Sequence, residues 1–118
     1  MNQESAPTLI RALTRLVGRA TIGIEFVEDY FQVVFDDARI SVLSSARISQ
    51  SGETFSTDTP EFRSTLASQS GVKLERAEAT DEGIVLTFAS GAQLTAVRDD
   101  SQVENFILDC GSIGSWVA

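Results

Sequence analysis

The sequence predicts an α+β fold: an antiparallel sheet built from two three-stranded meanders, with an N-terminal helix and a mid-chain helix. Three observations predict it. Residues 21–27, 30–35 and 38–43 are short runs rich in apolar residues, separated by Glu28-Asp29 and Asp36-Asp37, turn chemistry that joins adjacent antiparallel strands. A later stretch has the same build: residues 72–78, 84–88 and 92–97 are separated by Asp81-Glu82-Gly83 and Ser90-Gly91. Each set follows a segment that opens near a proline and closes at a glycine, the punctuation of a helix.

The elements follow in order. Residues 7–17 read as the first helix. Pro7 suits its first turn after Ser5 or Ala6, and Gly18 is the expected stop. Ile10, Leu13 and Val17 fall on one apolar stripe, flanked by Leu9 and Leu16. Arg11, Arg15 and Arg19 recur on the opposite side, forming either a solvated face or a docking strip for an acidic surface. In the first meander Phe31, Val33 and Phe35 share the face expected to meet the core, while Tyr30, Gln32 and Val34 share the other. Ile40 and Val42 alternate with Arg39 and Ser41, the pattern of a strand with one wet face.

Residues 44–58 are rich in Ser and Thr, with a short strand at Arg47-Ile48-Ser49 and a turn at Ser51-Gly52. Thr59 is the expected N-cap of the second helix, Pro60 its first residue and Glu61 an acid in its positive first turn. Phe62 and Leu66 share its apolar face and Gly71 ends it. In the second meander Phe88 corresponds to Phe35, and Leu94 to Ile40 after a longer turn. Beyond a break at Asp99-Asp100-Ser101, Phe106, Leu108 and Cys110 alternate onto one face, with Glu104 near the start of that run. Gly111 to Gly114 turn the chain, and Trp116-Val117 form a short last strand. The expectation is a single domain over 1–118, with an approximate internal repeat of 18–43 in 71–97. One curved sheet and two packed layers both fit the pattern.

The composition narrows the function. Of 118 residues, 17 are acidic and 9 basic, a formal net charge of -8. Such a surface repels phosphate, which argues against nucleic acid and anionic membrane as partners, and attracts a basic protein. No apolar run reaches the roughly 20 residues that cross a bilayer. The first residues lack the basic start and apolar core of a secretory signal, and Cys110 is the only cysteine, so a cytoplasmic location is expected. The chain has no histidine, which removes Ser-His and Cys-His catalysis and imidazole zinc sites. Gly111-Ser-Ile-Gly114 is not followed by a helical segment carrying a lysine, so it is no phosphate cradle. The expectation is a chain that is not an enzyme and holds no metal or cofactor.

What remains is binding. Glu28, Asp29, Asp36, Asp37, Asp81 and Glu82 all sit at turns, and form an acidic patch if those turns gather at one end of the sheet. Tyr30, on the wet face of its strand, and Trp116, near the last strand, are the aromatic candidates for a contact.

The order of a Leu-rich helix ending at Gly18, a strand pair closing on Phe35, a helix ending at Gly71-Val72, Phe88 with Gly91 and Leu94, then Glu104-Asn105-Phe106 and Trp116-Val117 resembles a small family of uncharacterised bacterial single-domain α+β proteins with two β-meander halves. Some of its members resemble immunity proteins of toxin systems. The resemblance implies a non-enzymatic protein-binding module that masks a basic toxin domain. The family's aromatic after the glutamate is displaced here, since Phe106 follows Asn105, and no functional residue is carried over. Two alternatives stay open: a self-associating structural module that dimerises through an exposed strand edge, and a small-ligand-binding domain.

Overall fold

The computed structural model describes residues 10–99, 101 and 105–109, together with the backbone of 115–117. Cys110, Asp100, Glu104, the glycine turn at 111–114 and the Trp116 side chain lie outside the described residues, as does the expected start of the first helix.

The first meander consists of β1 (Thr21–Val27), β2 (Tyr30–Phe35) and β3 (Ala38–Val42), joined by the two acidic turns. The second consists of β6 (Leu74–Ala79), β7 (Gly83–Phe88) and β8 (Gln93–Val97). The fold is α+β with antiparallel sheets, but three strands per meander understates it. The hairpin of β4 (Ala46–Gln50) and β5 (Glu53–Ser56) leaves the first meander and pairs beside β8. Strands β9 (Phe106–Asp109) and β10 (Ser115–Val117) leave the second and pair beside β3. The result is two five-stranded sheets, ordered β1-β2-β3-β9-β10 and β6-β7-β8-β4-β5. Each meander is thus completed by a hairpin from the other part of the chain.

The two orders coincide when each is counted from the helix before it, and so do finer details. The register of the first strand shifts between Thr21 and Gly23 in one sheet and between Leu74 and Arg76 in the other. Ile40 pairs with Leu108 as Leu94 pairs with Ile48. At the two crossings, Leu43 N donates to the Asn105 carbonyl (2.8 Å) and Val97 N to the Ser45 carbonyl (2.9 Å). The sheets meet at an isolated antiparallel bridge between Ala20 and Lys73. Around it the bonds are reciprocal. Gly18 N donates to Leu74 O (2.6 Å) and Gly71 N to Thr21 O (3.0 Å); Thr21 N donates to Val72 O (3.1 Å) and Leu74 N to Arg19 O (2.9 Å). Gly18 and Gly71 take the left-handed backbone at φ 91 and 87, which lets each chain turn from helix into this joint.

The first helix, α1, is helical over described residues 10–14 and tightens through 15–18, where Arg15, Leu16 and Val17 N–H groups bond three residues back. Its buried residues are Ala12, Leu13 and Leu16. The expected stripe is therefore corrected, since Ile10 and Val17 are exposed: the early tightening rotates Val17 away from the core. The second helix, α2 (Pro60–Ala67), starts as expected, with Thr59 Oγ1 accepting from Phe62 N at 3.3 Å. It ends at Ala67, before Gly71, because the Gln69 and Ser70 N–H groups already close turns onto Leu66 and Ala67 carbonyls.

One core cluster draws on both sheets and both helices. Phe31, Val33, Phe35, Ile40 and Val42 join Leu86, Phe88, Leu94, Phe106 and Leu108, with Leu13, Phe62 and Leu66 from the helices. The joint carries a buried polar pair: Thr21 Oγ1 donates to Gln69 O (2.7 Å) and accepts from Gly71 N (2.9 Å). Every buried side-chain polar atom among the described residues has a partner, as a dense core requires.

Candidate functional site

The acidic turns do not gather in one patch. Glu28-Asp29 joins β1 to β2 and Asp36-Asp37 joins β2 to β3, so they lie at opposite ends of the first sheet. Six residues of strand, about 20 Å, separate them. The expectation of a single acidic patch is corrected for this reason: consecutive turns of a meander alternate ends. Asp37 takes a left-handed φ of 67, the ordinary use of an aspartate in a tight turn, and the Asp36 carbonyl accepts from the Arg19 guanidinium. Arg19 thus docks on the chain's own turn, while Arg11 and Arg15 are exposed. Asp81-Glu82 joins β6 to β7, and Glu82 is committed to an ion pair with Arg47 of β4 at 2.6 Å. That bond holds the Glu82 carboxyl below its usual range and raises Arg47. Trp116 lies on the last strand, paired with Leu108 of β9.

Three of the eight candidates do come together. Glu28, Asp29 and Tyr30 line a cleft of about 270 Å³ at the end of the first sheet. The hairpin places them. Val27 pairs with Tyr30 and Phe26 with Phe31 across the turn, so the two acids occupy its tip. The buried rings of Phe31 and Phe62, edge-to-face at 5.5 Å, lie beneath. Leu43, Ser44 and Ser45, where the chain crosses to the second sheet, supply another wall, and Arg63 of α2 supplies the rim. The Arg63 guanidinium lies over the Phe26 ring, 4.7 Å from its centre. Neither Glu28 nor Asp29 forms an ion pair among the described residues.

Sequence reasoning missed Phe26 and Arg63. Phe26 could have been found, because a two-residue turn at Glu28-Asp29 forces it opposite Phe31 and beside the tip. Arg63 carried no signal, since only the packing of α2 against β1 brings it there.

The matching end of the second sheet is closed. Gly83 begins β7 where Tyr30 begins β2, at φ 150, and a Cβ there would overlap the Ala96 carbonyl oxygen. Arg98 N donates to the Glu82 carbonyl at 2.7 Å and ties the turn to the end of β8. No corresponding bond joins Ser44 to Asp29. The open cleft exists where the first half lacks that tie.

Chemically the cleft offers two carboxylates, a phenol and aromatic faces beside serine hydroxyls. Among the described residues, no three carboxyl or thiol groups lie close enough to hold a metal ion, and no helix is long and apolar enough to cross a membrane. No family model matches this chain, and no curated protein or solved structure is detectably similar to it.

Proposed function

We propose that this protein is a non-enzymatic binding module whose partner is a basic protein, and that it acts as an immunity-type inhibitor that covers a toxin domain in the cytoplasm. The observation that carries the reading is the cleft at the β1–β2 turn, where Glu28 and Asp29, in no ion pair among the described residues, adjoin half-exposed Tyr30 at a cleft also lined by the Phe26, Phe31 and Phe62 rings. An acidic rim around an aromatic centre is the anatomy of a protein contact, in which the aromatic supplies buried area and the charges steer the encounter. The net charge of -8 extends the same attraction over the whole surface.

The test is capture from a lysate of the native organism at low and high salt, with the wild type beside an E28Q/D29N/Y30A variant. The expected result is one basic protein held in fixed ratio by the wild type, released by salt, and lost by a variant that melts as the wild type does. Retention by that variant, with loss in D36N/D37N, moves the contact to the opposite end of the sheet.

A second reading, self-association through β1, has one observation in its favour. Strand β1 is a sheet edge with Ile22 64% exposed and Val27 also exposed, whereas β6, the matching edge, carries Glu75, Arg76 and Glu78. Recovery of the bait alone, with sedimentation showing dimers, favours this second reading.

A further inference from the structure

We propose that the cleft at the β1–β2 turn receives an arginine side chain from the partner, and that Arg63 occupies that place in the free protein. This inference rests on the binding-module reading and names the chemistry of its contact. The molecule itself shows the interaction: the Arg63 guanidinium lies over the Phe26 ring, 4.7 Å from its centre, at the cleft. A guanidinium is planar and weakly hydrated, so it loses little on stacking against a ring, whereas an ammonium holds its water. Arg63 is the only basic residue lining the cleft among the described residues, and it shares that cleft with two carboxylates, Glu28 and Asp29, without an ion pair to either. A second guanidinium that displaces Arg63 from the cleft meets the Phe26 ring, on the same face of the sheet as Phe31, while the Glu28 and Asp29 carboxylates at the turn tip offer the charged acceptors that arginine favours.

Size agrees. A volume of about 270 Å³ lies below the range of roughly 300–1,000 Å³ usual for small-molecule sites, and suits one inserted side chain. The second half of the chain supplies a built-in comparison. Ala79, opposite Ile84, stands where Phe26 stands opposite Phe31, and that end has no ring for a cation to cover. The device belongs to the first half alone.

The experiment is an amide-resolved NMR titration of the full chain with the capped tripeptide Gly-Arg-Gly. Gly-Lys-Gly and the uncharged citrulline analogue serve as controls. The expected result is shifts confined to residues 26–31, 43–45 and 62–63 with the arginine peptide, at least several-fold weaker binding of the lysine peptide, and none of the citrulline one. Freeing the rim by Arg63→Ala should tighten the arginine peptide roughly 2- to 5-fold, the worth of one exposed cation–π contact. Phe26→Leu, which keeps an apolar side chain, should weaken it by a similar factor. Equal binding of the citrulline peptide, shifts elsewhere on the molecule, or weaker binding by Arg63→Ala would each overturn the inference. Its fate separates from that of the binding-module reading. A partner captured equally by wild type and Phe26→Leu leaves the module standing and removes the arginine contact. Arginine-peptide binding with no partner captured from the lysate does the reverse.

Discussion

The β1–β2 end and the β6–β7 end of this molecule are built from the same strands in the same order, yet one holds a cleft and the other is shut. At the shut end Gly83 brings its strand against the Ala96 carbonyl, and the Glu82 carbonyl accepts from Arg98 N at 2.7 Å. At the open end Tyr30 has a ring and an ordinary backbone conformation, and Ser44 turns its hydroxyl to the Ser45 carbonyl. A surface site here arises less from adding a constellation of residues than from omitting a closure that the other half makes. Topology sets where a site can form, and the residue at the start of one strand decides whether it is open.

Three substitutions break or sharpen that comparison. The largest effect is expected from Gly83→Ala. The new methyl meets a backbone oxygen at a φ that L-residues rarely adopt, so the closed end must shift, at a cost of roughly 2–4 kcal/mol. Urea unfolding measures it, and a loss under about 0.5 kcal/mol would show that this end opens without penalty. Next, Thr59→Ala removes the cap of α2, the helix that carries Phe62 and Arg63 to the open end. A loss of about 1 kcal/mol is expected, with increased amide exchange in the first turn of α2. Unchanged exchange there would mean that packing of Phe62 alone holds the turn.

The smallest effect is expected from Glu82→Gln, and it is read through pH. The hydrogen bond from Arg47 holds the Glu82 carboxyl below its ordinary value of 4.5. A depressed carboxyl stabilises the fold above that ordinary value, and the contribution disappears as pH falls through the lower, folded value. The variant should therefore unfold at slightly lower urea than the wild type at neutral pH, and the gap should narrow below pH 4.5. A gap that stays constant into acid would assign the effect to packing rather than charge.

Much of the fold was legible because its signals are local. Alternation over five or six residues revealed β2, β3 and β7, and the faces of Phe31, Val33 and Phe35 were read correctly because a strand has no other way to arrange them. Thr59-Pro60 marked the start of α2 for the same reason. The stripe of α1 was misread because Leu13 belongs both to a set with Ile10 and Val17 and to one with Ala12 and Leu16, and only the tightened last turn chooses between them. The exchange of hairpins between sheets had no local signature at all. Ile48 carries the same alternation whether it extends its own meander or pairs with Leu94. The site was half legible: Glu28, Asp29 and Tyr30 announce themselves at a turn, while Arg63 reaches them only through tertiary packing.

The hairpin exchange also governs the order in which the molecule is made. As the chain leaves the ribosome, β1 to β3 emerge together and can pair, but β3 lacks its second neighbour until β9 follows, and β4, already paired with β5, lacks its second until β8 does. Neither sheet is complete until both meanders have been synthesised, so the first half waits with a bare strand edge. An edge of that kind invites pairing with other nascent chains, and closing it requires contacts between residues as distant as Ile40 and Leu108, the slow class of folding step. Rapid release of the finished chain, rather than gradual folding during its synthesis, is the regime this topology favours.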